Sequence, residues 1–577
     1  MPQRKQLLVS LALPSLVILS GCSVGPDYRA PDKQMADAWN SPLDCGLADG
    51  EADVTEWWQS LGDPMLADLI ARAAEGNLDL RMAVLRIRQA RALRGVAAGA
   101  LLPSLTGNSS YERSKLSGGG LLGAAQGGGA GSSFSETFAR GMTTSTLTQS
   151  ITNAAPGAAN IASPLASSIV SQIPSSAKRP GIPELDLFST GFDASWEIDV
   201  FGGLRRGVEA ADAELDAALE DYRAVLVSML AEVATTYIDV RTLQAEIDTT
   251  RQNIDLQKET LDLTQARLSY DLASELEVSQ AQTNLATTES QLPQLEANLA
   301  TAIYRLSVLV GKEPSALQDE LTSTKPIPQP PAETFVGVPT DILRRRPDLR
   351  AAERRLAAAT AEIGVSAADL YPRFTLSGNF GFESMTLKHA LDSKSITYGF
   401  GPAVRWNIFD GLRNLNRIAA QQVAAHHAYV GYEQTLLLAL QEVETAMVNY
   451  RREQDRRDAL MRATEAARRA VKLSETRYED GLTDFQDVVD AERSLVNLET
   501  ALVQSQGQVA VNLVALYKAL GGGWSPTAIP QQNLLDAPMD ALDRPLRFFF
   551  SGGKTELPWN IEAKTPAAPA AAGGEQD

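Results

Sequence analysis

Hydrophobic positions along this 577-residue chain recur mainly with a helical period. From Leu204 to Tyr270 the only Gly or Pro is Gly207. One seven-residue series there reads Leu219, Leu226, Val233, Val240, Ile247, Ile254, Leu261 and Leu268. A second reads Leu215, Tyr222, Met229, Thr236, Leu243, Thr250, Gln257 and Thr264. Such a sustained a/d seam predicts one long coiled helix of roughly 100 Å at 1.5 Å per residue. A returning helix follows, with its seam at Ala281, Leu285, Leu292, Leu295, Leu299, Leu306 and Leu309. Leu436, Val443 and Tyr450 echo the long helix later in the chain. Ala491, Leu495, Leu498, Leu502, Val509 and Leu516 echo its return.

The echo is a tandem repeat, which is sought before other readings. Asn77–Ala83 matches Arg346–Ala352 at an offset of 269, and Leu102-Pro103 matches Tyr371-Pro372 at the same offset. Ser195–Ile198 matches Arg405–Ile408 at 210, and Phe201–Arg205 matches Phe409–Arg413 at 208. Arg267 and Leu285 match Arg477 and Leu495 at 210. Each half reads helix, hairpin, long helix, returning helix. The first helices span about Pro64–Leu101 and Asp341–Leu370, stopped by Pro103 and Pro372. Strands are expected at Ser104–Arg113 with Phe188–Val200, and at Phe374–Glu383 with Ile396–Phe409. Their loose period-two alternation, rich in Thr, Ser, Gly and aromatic residues, suits strands with one lipid face and one watery face.

The N-terminus adds a compartment. Arg4 and Lys5 precede an apolar run, Leu7–Leu19, that ends in Ser20-Gly21-Cys22. Thirteen residues are too few to cross a bilayer, which takes roughly 20. Residues 1–21 therefore read as a signal peptide. The small residues before Cys22 resemble a bacterial lipobox, which implies cleavage there and acylation of Cys22. Ser23 in place of Asp fits sorting to the outer membrane. No later run is long enough for a spanning helix, so any membrane passage requires a closed barrel. Four strands cannot close one, since the smallest barrels have about eight. Several copies of the chain must therefore contribute, and three would give twelve strands.

Composition removes other classes. The formal charge is −19, and about −21 without residues 1–21, which disfavours nucleic-acid binding. Three histidines (His389, His426, His427) leave little for metal or acid–base catalysis. With Cys22 acylated, Cys45 has no partner for a disulfide. No nucleophile–base set or metal cluster is visible, so no catalytic residue, no metal and no cofactor is expected beyond the lipid on Cys22. A hydrolase is thereby disfavoured. A non-conducting coiled-coil scaffold would need no strands.

Several motifs resemble a known family. Cys22–Tyr28 resembles the mature start of NodT-type outer-membrane efflux lipoproteins. Trp57–Pro64 and Val338–Leu349 are similar to their next landmarks. Arg477–Gly481 and Asp487–Ala491 resemble the periplasmic turn of the TolC-like superfamily. The resemblance covers about residues 22–525 in the right order. It implies a mostly α protein with a membrane β-barrel. The protomer would be two αα-hairpin/β-hairpin repeats. The trimer would form a 12-stranded barrel and a 12-helix coiled periplasmic tunnel.

The implied function is an outer-membrane duct of a tripartite efflux system. Its implied partners are a periplasmic adaptor, an inner-membrane transporter of the RND class and outer-membrane lipid. A type I protein-secretion duct shares the fold and is the alternative. The resemblance places Asp487, Asp490 and Tyr478 at the periplasmic gate, with Glu277 and Gln280 as first-repeat equivalents. Asp487 and Asp490 are three apart and share a helix face. Six such carboxylates about one axis would favour cations. Two Asp near a helix start are also ordinary dipole partners in solvent. Thr483 stands where some relatives carry a latching Arg, which puts that latch in doubt.

The division expected is signal peptide 1–21, lipidated segment 22–60, repeat one 61–313, linker 314–336, repeat two 337–523 and tail 524–577. Residues 117–177 read as an insertion at the tip of the first hairpin. Pro103 to Trp196 spans 93 residues, against 34 from Pro372 to Trp406. A disordered spacer, a cap over the pore or a surface-binding segment would each fit its Gly-, Ala-, Ser- and Thr-rich composition.

Overall fold

The computed structural model describes residues 23–32, 36, 38–50, 54–115, 184–340 and 345–525. The signal peptide, Cys22, the 117–177 insertion and residues 526–577 lie outside the described residues.

The first repeat opens with α1 (Pro64–Gly76) and α2 (Leu78–Gly99). The single helix expected over Pro64–Leu101 is thus divided. Asn77 sits extended between the two, and its Oδ1 accepts from the amides of Asp79 and Leu80 at 2.9 and 3.1 Å, capping α2. Its side-chain Nδ2 donates to Leu309 O at 2.9 Å, so the break is anchored across the fold. Asp63 caps α1 behind Pro64 and also accepts from the Tyr237 hydroxyl at 2.6 Å.

Strands β2 (Ser104–Lys115) and β3 (Glu184–Ile198) follow, after the two-residue β1 (Leu47–Ala48) near the N-terminus. Then come α3 (Gly203–Ser269), α4 (Glu275–Glu289), α5 (Leu292–Leu309), the short α6 (Gln318–Leu321) and β4 (Thr334–Phe335), which pairs in parallel with β1. The second repeat runs α7 (Pro347–Ala368), β5 (Arg373–Ser384), β6 (Ile396–Arg405), α8 (Arg413–Glu479) and α9 (Phe485–Ala519).

The two long helices each have 67 residues. Their returns differ: α9 is continuous, whereas the expected single return of repeat one is broken at Ser290-Gln291. Pro293 explains the restart, since proline is tolerated only in a first helical turn.

The four long strands form one antiparallel sheet ordered β2-β3-β5-β6. Below it, α2, α3, α7 and α8 lie side by side in that order. Further from the sheet, α3 and α8 continue while α4, α5 and α9 replace the short helices. Corresponding tryptophans fasten sheet to helix in both repeats. Trp196 Nε1 donates to Leu101 O at 2.9 Å, and Trp406 Nε1 to Leu370 O at 3.0 Å. The repeated tryptophan thereby satisfies a carbonyl that a helix end leaves open.

The main core lies at mid-height. Leu226, Val233, Tyr237 and Val240 of α3 meet Leu306 of α5, Leu436, Val443 and Tyr450 of α8, and Leu513 and Leu516 of α9. Trp57 stacks on Tyr517 at 5.4 Å and closes one side. The described N-terminal residues run over the outside of the helices. Ser23 lies beside Gly202, the buried Arg206 bonds Val24 O and Asp27, and Tyr28 bonds Glu353. Gly25 approaches Gly364 so closely that a Cβ would sit 2.5 Å from its Cα. No helix among the described residues is long and apolar enough to cross a membrane.

Candidate gate at the helix turns

Both long helices end in the same turn, far from the sheet. Leu272 N donates to Arg267 O at 2.9 Å, and Leu482 N to Arg477 O at 2.7 Å, the 6→1 bond of a Schellman ending. The left-handed position is Gly481 in one repeat and Asp271 in the other, a residue type that tolerates that conformation. Ser274 then caps α4 and Asp484 precedes α9.

These turns bring the sequence-predicted residues together in two groups. Tyr478, 4% exposed, donates its hydroxyl to Glu277 Oε2 at 2.6 Å, bridging the repeats. The other oxygen of Glu277 accepts from Ser274 Oγ at 3.2 Å. Burial and the Glu277 carboxylate push the Tyr478 phenol up to about 12, so the hydroxyl keeps its proton. Its ring packs on Phe485, Val488, Val489 and Ala281 in a small apolar cluster.

The second group is exposed. Gln280 Nε2 approaches Gln486 Oε1 at 3.5 Å, and Gln486 Nε2 donates to Asp490 Oδ1 at 3.0 Å. Thr483, at the position of the doubtful latch, donates its hydroxyl to Asp487 instead. Asp487 and Asp490 both face outward from the protomer, unpaired with any cation among the described residues.

The sequence reading missed two groups here. Arg267 lies with its guanidinium 4.6 Å from the Tyr478 ring centre and donates to Glu479 O at 2.9 Å. It supplies a cation between the repeats, and only its match with Arg477 had marked it. Glu492, 2% exposed, accepts from Thr260 Oγ1 at 2.6 Å and from Asn284 Nδ2 at 2.9 Å. Burial, with the Glu475 carboxylate nearby, pushes it up to about 7. The signal was present: Phe485, Val488, Glu492, Leu495 and Glu499 follow 3–4 spacing and are all buried. Of the expected seam, Leu495, Val509 and Leu516 are buried, whereas Ala491, Leu498 and Leu502 are only half-buried.

Nothing in this region resembles a catalytic set, and no group of metal-ligating side chains occurs among the described residues. The sequence profile described as outer membrane efflux protein matches residues 174–312 and 338–522. The chain belongs to the outer membrane efflux protein family. It is the outer-membrane channel component of an efflux system, with its helical tunnel in the periplasm, and not an enzyme.

Nodulation protein T of Rhizobium leguminosarum bv. trifolii is 27% identical over 513 residues, 89% of this chain and 97% of that protein. The solved outer-membrane channel OprN is 32% identical with a TM-score of 0.72, covering 88% of this chain and all of that one. The CmeC outer membrane channel of Campylobacter jejuni, at 20% identity and a TM-score of 0.72, shares the fold over 89% of this chain and 98% of its own. The family match favours efflux over the protein-secretion alternative.

Proposed function

We propose that three copies of this efflux channel close a 12-stranded barrel and a 12-helix tunnel, gated where α3 and α8 turn. One observation carries the reading: the protomer is open at both edges in both layers. β2 and β6 each pair on one side only, and their outer sides have no strand partner among the described residues. Unpaired edges of this length invite pairing. Beneath them, α2 exposes Leu78, Met82, Leu85, Leu93 and Val96, and α8 exposes Val423, Val430 and Leu437. Both stripes follow helical spacing, so head-to-tail packing of α2 on the next α8 buries them while β6 pairs with the next β2. Such heterologous contacts form rings when the rotation closes.

In this assembly Asp487 and Asp490 of three chains form the constriction, and the Tyr478–Glu277 bond holds each pair of hairpins shut. Acylated Cys22 anchors the chain at the inner face of the outer membrane. The position of Ser23 beside Gly202, at the junction of sheet and helices, supports that placement. A periplasmic adaptor and an RND-type transporter complete the pump. The toluene efflux pump outer membrane protein TtgI of Pseudomonas putida, 26% identical over 525 residues, supports membership of an efflux pump.

The test is conductance of the purified channel in planar bilayers. Divalent or trivalent cations added on the periplasmic side are expected to block the parent channel. Asp487→Asn with Asp490→Asn is expected to lose that block and the cation preference. Unchanged block in the double variant removes these two residues from the constriction.

A further inference from the structure

Just beyond the turns, the interface between the two hairpins changes from apolar to polar. On the face of α3 turned into the fold, Thr250, Asn253, Gln257, Thr260 and Thr264 are all buried. Both polar atoms of Gln257 and the amide nitrogen of Asn253 are buried without a hydrogen-bond partner. Two acids of α9 point into this interface, Glu492 and Glu499. Glu499 has a cation, Arg468, at 2.8 Å. Glu492 has only the neutral hydroxyl of Thr260 and amide of Asn284. It therefore ties α9 to both helices of the first hairpin with a carboxyl group that no positive charge balances directly.

We propose that Glu492 is a proton-responsive latch: protonated, it favours the closed packing of α9 against the first hairpin, and its ionisation favours opening. This inference rests on the gate reading above. The charge that acts on it through space is acidic, and the nearest cation named, Arg493, reaches it only through Asn284. From α8, Glu475 acts on Glu492 through space, and Glu475 is itself raised by burial and by Glu479 and Glu259. From α4 there is only Asn284, whose carbonyl oxygen accepts from Arg493 of α9 at 3.1 Å. From α3, Thr260 bonds it directly, and the charge on that side is Glu259, acting on Glu475. Negative charge and lost hydration both favour the proton in the closed state.

Opening wets the seam and returns the carboxyl toward its ordinary range near 4.5. The closed state then holds more protons than the open one between that value and about 7. Closed packing is firmest below this window, weakens as pH rises through it, and is weakest above.

The experiment measures open probability of the full-length channel in planar bilayers from pH 5.5 to 8.5. The ratio of open to closed is expected to rise about ten-fold or more across that range, by proton linkage. Glu492→Gln, neutral and equal in shape, is expected to hold the acid-side open probability at every pH. Thr260→Val removes a donor that favours the ionised form, so the midpoint moves to higher pH.

The same series in the Asp487→Asn/Asp490→Asn background separates this latch from the constriction, and the pH response is expected to persist there. A pH response unchanged in Glu492→Gln, or abolished by the two Asn substitutions alone, overturns the latch. Loss of the gate reading shows separately, as cation block unaffected by those substitutions. If Glu492→Gln fails to assemble, the Thr260→Val midpoint decides: an unmoved midpoint rejects the proposal.

Discussion

Helix α3 passes through two regions that share a seam and differ in chemistry. At mid-height it buries Leu226, Met229, Val233, Tyr237 and Val240 in one core with side chains of α5, α8 and α9. Toward the turns, the heptad series that runs through Met229 carries Thr250, Gln257 and Thr264, equally buried, beside Ile247 and Ile254 of the other series. Separating the first region exposes hydrocarbon to water at about 25 cal/mol per Å². Separating the second exposes groups that water satisfies, including the unpartnered polar atoms of Gln257 and Nδ2 of Asn253. One continuous helix is thus sealed by hydrocarbon at its middle and by polar groups toward its end, the difference that the proposed gate uses.

Four substitutions probe this contrast, beginning with the largest effect. Leu513 of α9 is fully buried in the mid-height core. Leu513→Ala is expected to cost about 2–5 kcal/mol, read as thermal stability in detergent. A loss under about 1 kcal/mol would mean that the middle is not the rigid part.

Tyr478→Phe keeps the ring against Phe485 and removes the bond to Glu277. It is expected to ease closed-to-open conversion by about 1–3 kcal/mol, seen as a higher open probability. Because the phenol is pushed up to about 12, this bond persists at physiological pH and is lost only as pH rises through that value. The Tyr478 contribution should therefore be flat where Glu492 responds.

Gln257→Leu inverts the usual expectation for a buried substitution. Removing two unsatisfied polar atoms should tighten the closed seam by about 1–2 kcal/mol and lower open probability. Higher open probability would show that Gln257 has partners in the closed assembly. Finally, Arg305→Ala breaks an exposed pair with Glu232 at 2.7 Å. It is expected to change stability by less than about 1 kcal/mol, and both thermal melts and conductance should barely move.

Much of this was legible beforehand. The long helix expected over Leu204–Tyr270 is found at Gly203–Ser269, because its heptads run without interruption. The four strands lie within a few residues of their expected bounds, because Pro103, Pro372 and the repeated tryptophans frame them. The breaks at Asn77 and Ser290 escaped notice, since an apolar pattern continues across both while only local capping and Pro293 interrupt the backbone. The family motif and the repeat offset marked Tyr478 and Glu277 as gate positions, but not the hydrogen bond that joins them. Glu492 did not follow, because a charged residue beside an apolar seam reads as solvent-facing.

The sequence by itself determined the periodicities, the duplication and the turns, for these are local properties of spacing, of proline and glycine, and of small capping side chains. Its two halves also determined which residues correspond. Only the tertiary structure decided that Glu492 and Glu499 share the buried face of α9 with Leu495, since a shift of one position around a helix is settled by what packs opposite it. It likewise decided that Arg267 covers the Tyr478 ring, and that Thr260 and Asn284, from different helices, meet one carboxyl group. Those contacts join residues some 200 positions apart, and no local pattern encodes the partner a buried polar group will find.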